Sequence, residues 1–352
     1  MWTGEWAPSW GSKYTMDANV NLQVSALNSS NIAEAPIGYA NFILRQADDW
    51  ESNAMATHGY TDAIQAPVNS DGDMALMSES CYPYPFRYWN AGASWLLLPL
   101  YEALQSSGEI SVPVSTEFDL NALKSVLSTS ATDLTDAQIE AIKSKGYLDL
   151  RTEILYPLLL KNCNYWEQLL TPEYSTDANG NIHYEEGKTS LGEGESYCII
   201  PSYSPENTPS NYPSPAAANS AVDIAACLSA IEMLKDVAKS IDPSVDTSRW
   251  DALAEKLPPL LTEDGALKEW ACYDFEENNS HRHLSHLYCA WPVDMTKDDP
   301  ELRDAALKAV DIRAAENEAS HALVHRALIG AKLESAEIVT EALEGLMHSN
   351  IY

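Results

Sequence analysis

The sequence predicts an all-α fold in which long loops connect the helices. Apolar residues recur at helical spacing along most of the 352 residues, whereas only residues 184–186 and 198–200 have an extended pattern. The connecting segments differ widely in length and no fixed period is visible, which argues against a tetratricopeptide or HEAT array. Long loops on a helical scaffold often carry function, and segments 53–87, 171–215 and 264–287 stand out.

The predicted helices follow one another from residue 36 to residue 348. Pro36 suits the first turn of the first helix, residues 36–53. Residues 88–104 are apolar enough to be buried on several sides. Either Thr132 or Thr135 can cap the short helix that follows. The remaining predicted helices span residues 133–145, 147–170, 219–241, 248–260, 300–316, 320–333 and 335–348.

The net charge of -31 indicates which kinds of molecule this chain can bind. Nucleic acid and anionic membrane surfaces both need clustered Lys and Arg, so we expect neither as a partner. A neutral or cationic small molecule fits better, although acidity also serves plain solubility. No run of about 18 apolar residues occurs, which argues against a membrane span. The first six residues, Met-Trp-Thr-Gly-Glu-Trp, lack the features of a signal peptide, and the compartment stays open.

Six cysteines are present, none in a Cys-x-x-Cys pair. This number is too small for a disulfide scaffold in a chain of this length, and buried free thiols are the expected state. The cysteines also lack zinc-ligand spacing to a histidine pair.

Polar and aromatic side chains are concentrated between residues 265 and 288. An indole face stacks on C–H groups, and guanidinium and imidazole groups donate to hydroxyls, so such a set suits a neutral polyol. Zinc is a rival interpretation, but the spacing His-x-His-x-x-His differs from the His-Glu-x-x-His of helical metalloproteases. Structural histidines are a further alternative, and we expect no metal and no cofactor. The set contains Glu269, Trp270, His281, Arg282, His283 and His286.

A lone carboxylate, Glu206, follows Pro205 in a segment that holds five prolines, residues 201–215. Prolines exclude helix and central strand there, so we expect a rigid ordered loop. A rigid mount suits a general acid, which must meet a leaving oxygen at hydrogen-bond distance. The alternative is an ordinary turn carboxylate.

Asp17, Asn19 and Asn21 occupy alternate positions near the N-terminus. In an extended segment they share one face and can orient a water and sugar hydroxyls, and local Asx turns are the alternative. Trp89 and Trp95 open the apolar helix 88–104 and do not share a helical face. Trp89 is our candidate stacking platform, with core packing of both as the alternative.

Five of these segments, taken in order, resemble glycoside hydrolase family 95, the inverting α-L-fucosidase and α-L-galactosidase family. The similarity runs the length of the chain at the density of motifs. The segments are residues 10–15 (Trp-Gly-Ser-Lys-Tyr-Thr), 89–95, 204–207 (Ser-Pro-Glu-Asn), 265–270 and 281–288 (His-Arg-His-Leu-Ser-His-Leu-Tyr).

The resemblance implies one catalytic domain over residues 1–352, an (α/α)6 barrel of helical hairpins with long loops on one face. It also implies that the family's β-sandwich and small C-terminal β domain are missing, and that the barrel is incomplete at its C-terminal end. The family's general base would then lie beyond residue 352, and we expect little turnover from this stretch alone. Asp274 and Glu269 are the first candidates for a base within it.

The implied reaction is hydrolysis of terminal α-L-fucosyl or α-L-galactosyl residues with inversion, with Glu206 as the acid. The family's Asn-x-Asn step, which assists the base, falls on Asp17 and Asn19, or on Asn19 and Asn21 after a two-residue shift. Asp17 is a departure from that pattern. The implied sugar contacts are Trp89, Glu269, Trp270, His281, Arg282, His283 and Asn21.

A second departure lies at residues 320–326, where the family's Gly-Trp-Ser-x-Ala-Trp-Lys reads Ser-His-Ala-Leu-Val-His-Arg. Only the basic residue is kept in type, so nearby sugar contacts are altered. The expected partner is an oligosaccharide or polysaccharide, and a secreted parent protein is compatible with the resemblance. A non-catalytic carbohydrate-binding or scaffold module derived from the same fold is the alternative.

Overall fold

The computed structural model describes residues 6–7, 9–77, 84–129, 134–313 and 319–348. Over these residues the chain is mostly helical, as the sequence predicts. Two compact units share the chain, and each is assembled from separated segments. The described parts of residues 1–81, 92–168 and 230–251 form unit 1, and those of residues 82–91, 169–229 and 252–352 form unit 2.

Eleven α-helices occur in the described residues. They are α1 (Asn19–Gln23), α2 (Glu34–Leu44), α3 (Ala47–His58), α4 (Gly92–Ser107), α5 (Asp136–Lys145), α6 (Tyr156–Leu169), α7 (Ala221–Ile241), α8 (Ser248–Glu255), α9 (Pro300–Ile312), α10 (Ser320–Lys332) and α11 (Ala336–His348). Short 3-10 helices span Ser9–Ser12, Phe86–Tyr88, Ala122–Lys124 and Ser285–Cys289, and Leu150–Leu155 form a π-helix.

Several predicted helices have different bounds in the structure, and three of them are divided or begin differently. The helix predicted at 36–53 is two helices, because Gln46 leaves the helical region and its side chain donates to the Phe42 carbonyl at 2.8 Å. The helix predicted at 88–104 begins four residues later, since Trp89 has a non-helical backbone. The helix predicted at 147–170 begins as a strand and a π-helix before α6.

The cap of α5 follows its sequence. Thr135 accepts from the Gln138 amide, and the Gln138 side chain accepts from the Thr135 amide, so the two residues form a capping box. Thr132, the other candidate cap, lies outside the described residues. This reciprocal pair satisfies amides that the first helical turn leaves without partners.

Short strands are more numerous than the sequence predicts. The described residues contain β1 (Tyr14–Thr15), β2 (Asn69–Ser70), β3 (Ser111–Pro113), β4 (Tyr147–Asp149), β5 (Tyr174–Thr176), β6 (Ile182–Tyr184), β7 (Ser196–Tyr197), β8 (Thr262–Glu263) and β9 (Ala266–Leu267). The prediction of extended structure at only 184–186 and 198–200 was therefore wrong. Strands of two or three residues are too short to show an alternating pattern.

All strand pairs are antiparallel: β1 with β2, β3 with β4, β6-β5-β7, and β8 with β9. The β8–β9 hairpin turns through Asp264 and Gly265, which both have positive φ, as a tight two-residue hairpin turn requires. Glu269 follows this hairpin by two residues, so the turn helps to set its position.

Buried side chains hold unit 1 together between α4 and α6. Ser94 is buried and accepts from the Asn162 amide at 2.9 Å and from the Trp166 indole at 3.1 Å. Leu96, Leu97 and Leu100 of α4 are also fully buried. In the described part of the chain, no helix is long and apolar enough to cross a membrane.

The α10–α11 hairpin of unit 2 depends on the close approach of the two helices. A Cβ added at Gly330 would lie 2.7 Å from Cγ2 of Ile338. That atom belongs to a β-branched side chain with a restricted χ1, so it cannot easily move away. Gly38 in α2 is also helical, but a Cβ there would meet nothing within 4 Å.

We predict that Gly330→Ala and Gly38→Ala change stability in opposite directions. Alanine favours a helix over glycine by about 1 kcal/mol, and Gly38→Ala should gain this amount. Gly330→Ala should instead lower the free energy of unfolding by about 1–3 kcal/mol, because overpacking outweighs propensity. Denaturant unfolding of the two variants measures both effects, and a gain in stability in Gly330→Ala would refute the close packing.

Candidate active site

The Glu206 loop of unit 2, residues 201–208, is held by buried polar contacts. Ser204 and Asn207 are buried on either side of Glu206. The Glu206 side chain is 20% exposed, so it faces outward from a fixed loop. The rigid ordered loop that the prolines predict is thus fixed by side-chain contacts as well.

Two cationic or polar side chains contact the Glu206 carboxylate. Nη2 of Arg282 lies 3.3 Å from Oε2, and Nε2 of His283 lies 3.5 Å from the same oxygen. Burial raises the pKa of Glu206, but the contact with His283 and the charge of Arg282 outweigh burial and place the pKa below its usual range. Glu206 is therefore ionised at neutral pH, and its protonated fraction grows as the pH falls.

Glu269 lies beneath the Glu206 loop and binds both of its buried polar side chains. Oε1 accepts from Oγ of Ser204 at 2.6 Å, and Oε2 accepts from Nδ2 of Asn207 at 2.6 Å. The Glu269 side chain has no exposed surface. Its position therefore suits support of the loop, and a sugar contact or a catalytic base at Glu269, as the sequence suggested, has no access here.

Arg313, at the C-terminal end of α9, completes the support. Nη2 donates to Oε2 of Glu269 at 2.6 Å, and Nη1 donates to the backbone carbonyl of His283 at 2.7 Å. Both charged side chains are fully buried. Burial raises the pKa of Glu269, but the Arg313 charge outweighs it and the pKa lies below its usual range. The pair joins the Glu206 loop to the segment that carries His283.

A second buried cluster anchors the start of the same loop. Oδ2 of Asp223, in the first turn of α7, accepts from Ser202 at 2.6 Å and from Asn90 at 3.0 Å. Asn90 also donates to the Pro201 carbonyl, and Ser285 donates to the Pro205 carbonyl. Burial raises the pKa of Asp223 to about 7 despite these donors. The loop is thus held at both ends by side chains distant in sequence.

Three histidine rings form a row beside Glu206. The His281 and His283 ring centroids are 5.1 Å apart, and those of His283 and His321 are 4.9 Å apart. Burial lowers the pKa of His281 and of His321 to about 4 each, so both imidazoles are neutral at pH 7. A neutral imidazole offers one donor and one acceptor, which is what a hydroxyl group can match.

His286 and His325 belong to the interior. His286 is 1% exposed and His325 is 4% exposed, and burial lowers the pKa of each to about 3. The His325 ring packs edge-on against Trp291 at 5.2 Å. The histidine segment of the sequence therefore serves two purposes, since His281 and His283 accompany Glu206 while His286 is structural.

The two candidate stacking tryptophans are buried. Trp89 is 1% exposed and Trp270 has no exposed surface. A sugar ring needs an open indole face, so neither side chain presents a stacking platform in this structure, and core packing of both is the interpretation that fits their burial. The Trp270 backbone pairs with Ser220, which lies next to α7.

The N-terminal candidates lie in unit 1 and do not share one face. Asn19 begins α1, so the extended arrangement that would give the three side chains one face does not occur. Asp17 and Asn21 are 4% and 2% exposed, whereas Asn19 is exposed. Of the three, Asn19 alone presents its side chain to solvent. Five cysteines in the described residues are free and buried, as predicted.

No group of three or more His, Cys, Asp or Glu side chains within the described ranges is arranged to hold a metal ion. His283 instead contacts Glu206, and His286 points into the core. The arrangement offers a partly exposed carboxylate, a guanidinium and neutral imidazoles. These groups can donate a proton and hydrogen bonds to a neutral, hydroxyl-rich ligand.

Sequence reasoning missed Arg313, Asp223 and the roles of Ser204 and Asn207. Arg313 falls at the end of a predicted amphipathic helix, where a basic residue is expected on the surface. Its partner Glu269 is 44 residues away, so no local pattern signals the pair. Asp223 could have been noticed as a carboxylate in an otherwise apolar first turn of a predicted helix.

We predict that Arg313→Met lowers the free energy of unfolding by about 3–5 kcal/mol, because it leaves the Glu269 carboxylate buried without its charge partner. The matched control is Lys332→Met, which removes a 2.9 Å pair with Asp294 whose side chains are 39% and 25% exposed. That change should cost below about 1 kcal/mol. Denaturant unfolding compares the two, and equal losses would contradict the buried role of Arg313.

A protein-family model matches more than half of this chain. Residues 148–352 match the glycosyl hydrolase family 95 catalytic domain, and this range contains the whole of the Glu206, Glu269 and Arg313 arrangement. The match covers more than half of the chain, so the chain belongs to glycosyl hydrolase family 95 and is a glycoside hydrolase domain with a glycan as its substrate. A search of curated proteins gave no match.

Proposed function

We propose that this member of glycosyl hydrolase family 95 releases terminal α-L-fucosyl or α-L-galactosyl residues with inversion of configuration. Glu206 is the general acid in this proposal. The observation that carries it is a partly exposed carboxylate on a pinned loop, next to Arg282 and His283. We also propose that the helices belong to an (α/α)6 barrel, in keeping with the mostly helical chain.

The proposed chemistry divides the work between an acid and a base. Protonated Glu206 donates to the glycosidic oxygen, and the C–O bond breaks as a water attacks the opposite face of the sugar and gives its proton to the general base. In inverting enzymes the two carboxyl groups lie about 6.5–9.5 Å apart, which leaves room for that water. Glu269 does not suit the role of base, since its oxygens are occupied by Ser204, Asn207 and Arg313.

The surroundings of Glu206 suit a neutral sugar. The neutral ring of His321 can accept from one hydroxyl and donate to another, and Arg282 can donate to oxygen. Nδ1 of His281 accepts from the His283 backbone amide at 3.1 Å, so the neutral His281 ring offers its Nε2–H as a donor. Asn19 stays a prediction of the family resemblance, and it is the exposed member of the N-terminal set. Asp17 and Asn21 are 4% and 2% exposed.

We predict that Glu206→Gln lowers kcat on an aryl α-L-fucoside with a poorly activated leaving group by about 100- to 10,000-fold, the usual contribution of a general acid. The protein should be assayed in the longest form that its gene encodes. The control is Glu276→Gln, an exposed carboxylate of the same unit. Glu276→Gln should retain wild-type kcat.

Two outcomes would contradict the assignment. Full activity in Glu206→Gln would require another acid. Sugar binding without hydrolysis in the wild-type protein would instead support the alternative, a non-catalytic carbohydrate-binding module, in which an ionised Glu206 only accepts hydrogen bonds.

The pH profile of kcat/KM gives a further prediction. Hydrolysis needs the protonated acid, so kcat/KM should fall as the pH rises through the pKa of Glu206. The contact with His283 and the Arg282 charge together hold that pKa below its usual range, so Arg282→Leu should raise the pKa and move the alkaline limb to higher pH. A limb that stays in place, or moves to lower pH, would show that Arg282 does not act on the catalytic acid.

A further inference from the structure

Helix α10 brings a histidine to the Glu206 region at a position where this chain departs from the family pattern. His321 is the second residue of α10, and its ring lies 4.9 Å from that of His283, whose Nε2 is 3.5 Å from Glu206. The charges of Arg282 and Glu206 both act on the His321 ring. His321 is therefore a near neighbour of the candidate acid, from an element far along the chain.

The His321 ring is only partly covered, unlike His325 one turn later. His321 is half-buried, whereas His325 is 4% exposed and packs on Trp291. Residues four apart lie on the same helical face, so the two rings follow one stripe of α10, one at the surface and one inside. Among the described residues, no hydrogen bond of the His321 ring nitrogens is found.

A half-buried neutral imidazole whose nitrogens have no hydrogen bond to the described residues is matched to a group that both donates and accepts. Burial keeps the His321 ring uncharged at pH 7, so one nitrogen donates and the other accepts. A hydroxyl has this dual character, whereas a methyl group has none and a carboxylate only accepts. A ring that only packed against His283 would not need either nitrogen.

We infer that His321 is a specificity-determining residue that hydrogen-bonds a hydroxyl of the bound sugar, on the side of Glu206 formed by His281 and His283. This inference rests on the proposed function, because it needs a sugar beside Glu206. It adds a contact that selects hydroxyl-bearing positions of the sugar over positions that lack an oxygen.

The test separates hydrogen bonding from packing at one position. His321→Phe keeps an aromatic ring against His283 but removes both nitrogens, and His321→Gln keeps a donor and an acceptor but removes the ring. The matched control is His325→Phe, the same change one turn away and inside the core. L-fucose and L-galactose are titrated into each protein at pH 7 in ligand-observed NMR, and thermal melts establish that each variant is folded.

We expect His321→Phe to weaken binding of the better sugar about 3- to 10-fold, the equivalent of one neutral hydrogen bond. His321→Gln should stay close to wild type, and His325→Phe should lower the melting temperature without weakening binding. In wild-type protein labelled with 15N-histidine, the sugar should move the ring signals of His321 more than those of His325. This second measurement needs no variant to fold.

The contrary outcomes are distinct. Wild-type binding in His321→Phe together with weakened binding in His321→Gln would show a packing role and overturn the inference. Unchanged binding in both variants, or unmoved His321 ring signals, would overturn it as well, while leaving the proposed function intact. Failure of the wild-type protein to bind either sugar would overturn the proposed function and this inference together.

Discussion

The ion pair between Glu269 and Arg313 is the contact on which the candidate site depends. Neither side chain is exposed, so each charge must be fully compensated inside the protein. Glu269 accepts from Ser204, Asn207 and Arg313, and Arg313 donates onward to the His283 carbonyl. Each bond that compensates the buried charge also fixes a loop. The contacts that stabilise the interior are therefore the same contacts that position the candidate site.

Although the chain is strongly acidic, two positively charged arginine side chains lie in the Glu206 region. Acidic residues number 52 and basic residues 21, yet Arg282 and Arg313 both lie in the Glu206 region. Arg313 acts from beneath, through Glu269, and Arg282 acts at the surface on Glu206 itself. Burial lowers the pKa of the neighbouring His281, so its imidazole is neutral at pH 7. The site thus combines fixed charge with groups that match hydroxyls.

The sequence predicts the mostly helical fold from helical spacing and the rigid Glu206 loop from its prolines. It also predicts, from their clustering, that His281, Arg282 and His283 lie together. All three are local signals. The predicted helix bounds are wrong where a side chain binds the helix backbone, as Gln46 does between α2 and α3. The short strands could not be predicted, because two or three residues are too few to show an alternating pattern of apolar and polar side chains.

The support of the site could not be predicted, because it depends on pairs far apart in sequence. Glu269 looked like a sugar ligand beside Trp270, and only burial shows that both side chains face the interior. Arg313 looked like a surface residue at the end of α9. His321 and His325 are the same residue type one turn apart, and only their different burial separates a candidate ligand contact from a core position.

The central claim is that Glu269 and Arg313 act as one unit that holds the sugar site together. A double-mutant cycle on sugar affinity, with Glu269→Gln, Arg313→Met and the double variant, tests it most directly. We expect each single change to weaken binding, and we expect the double variant to bind no more weakly than the worse single variant. Additive losses, or wild-type affinity in either single variant, would contradict it.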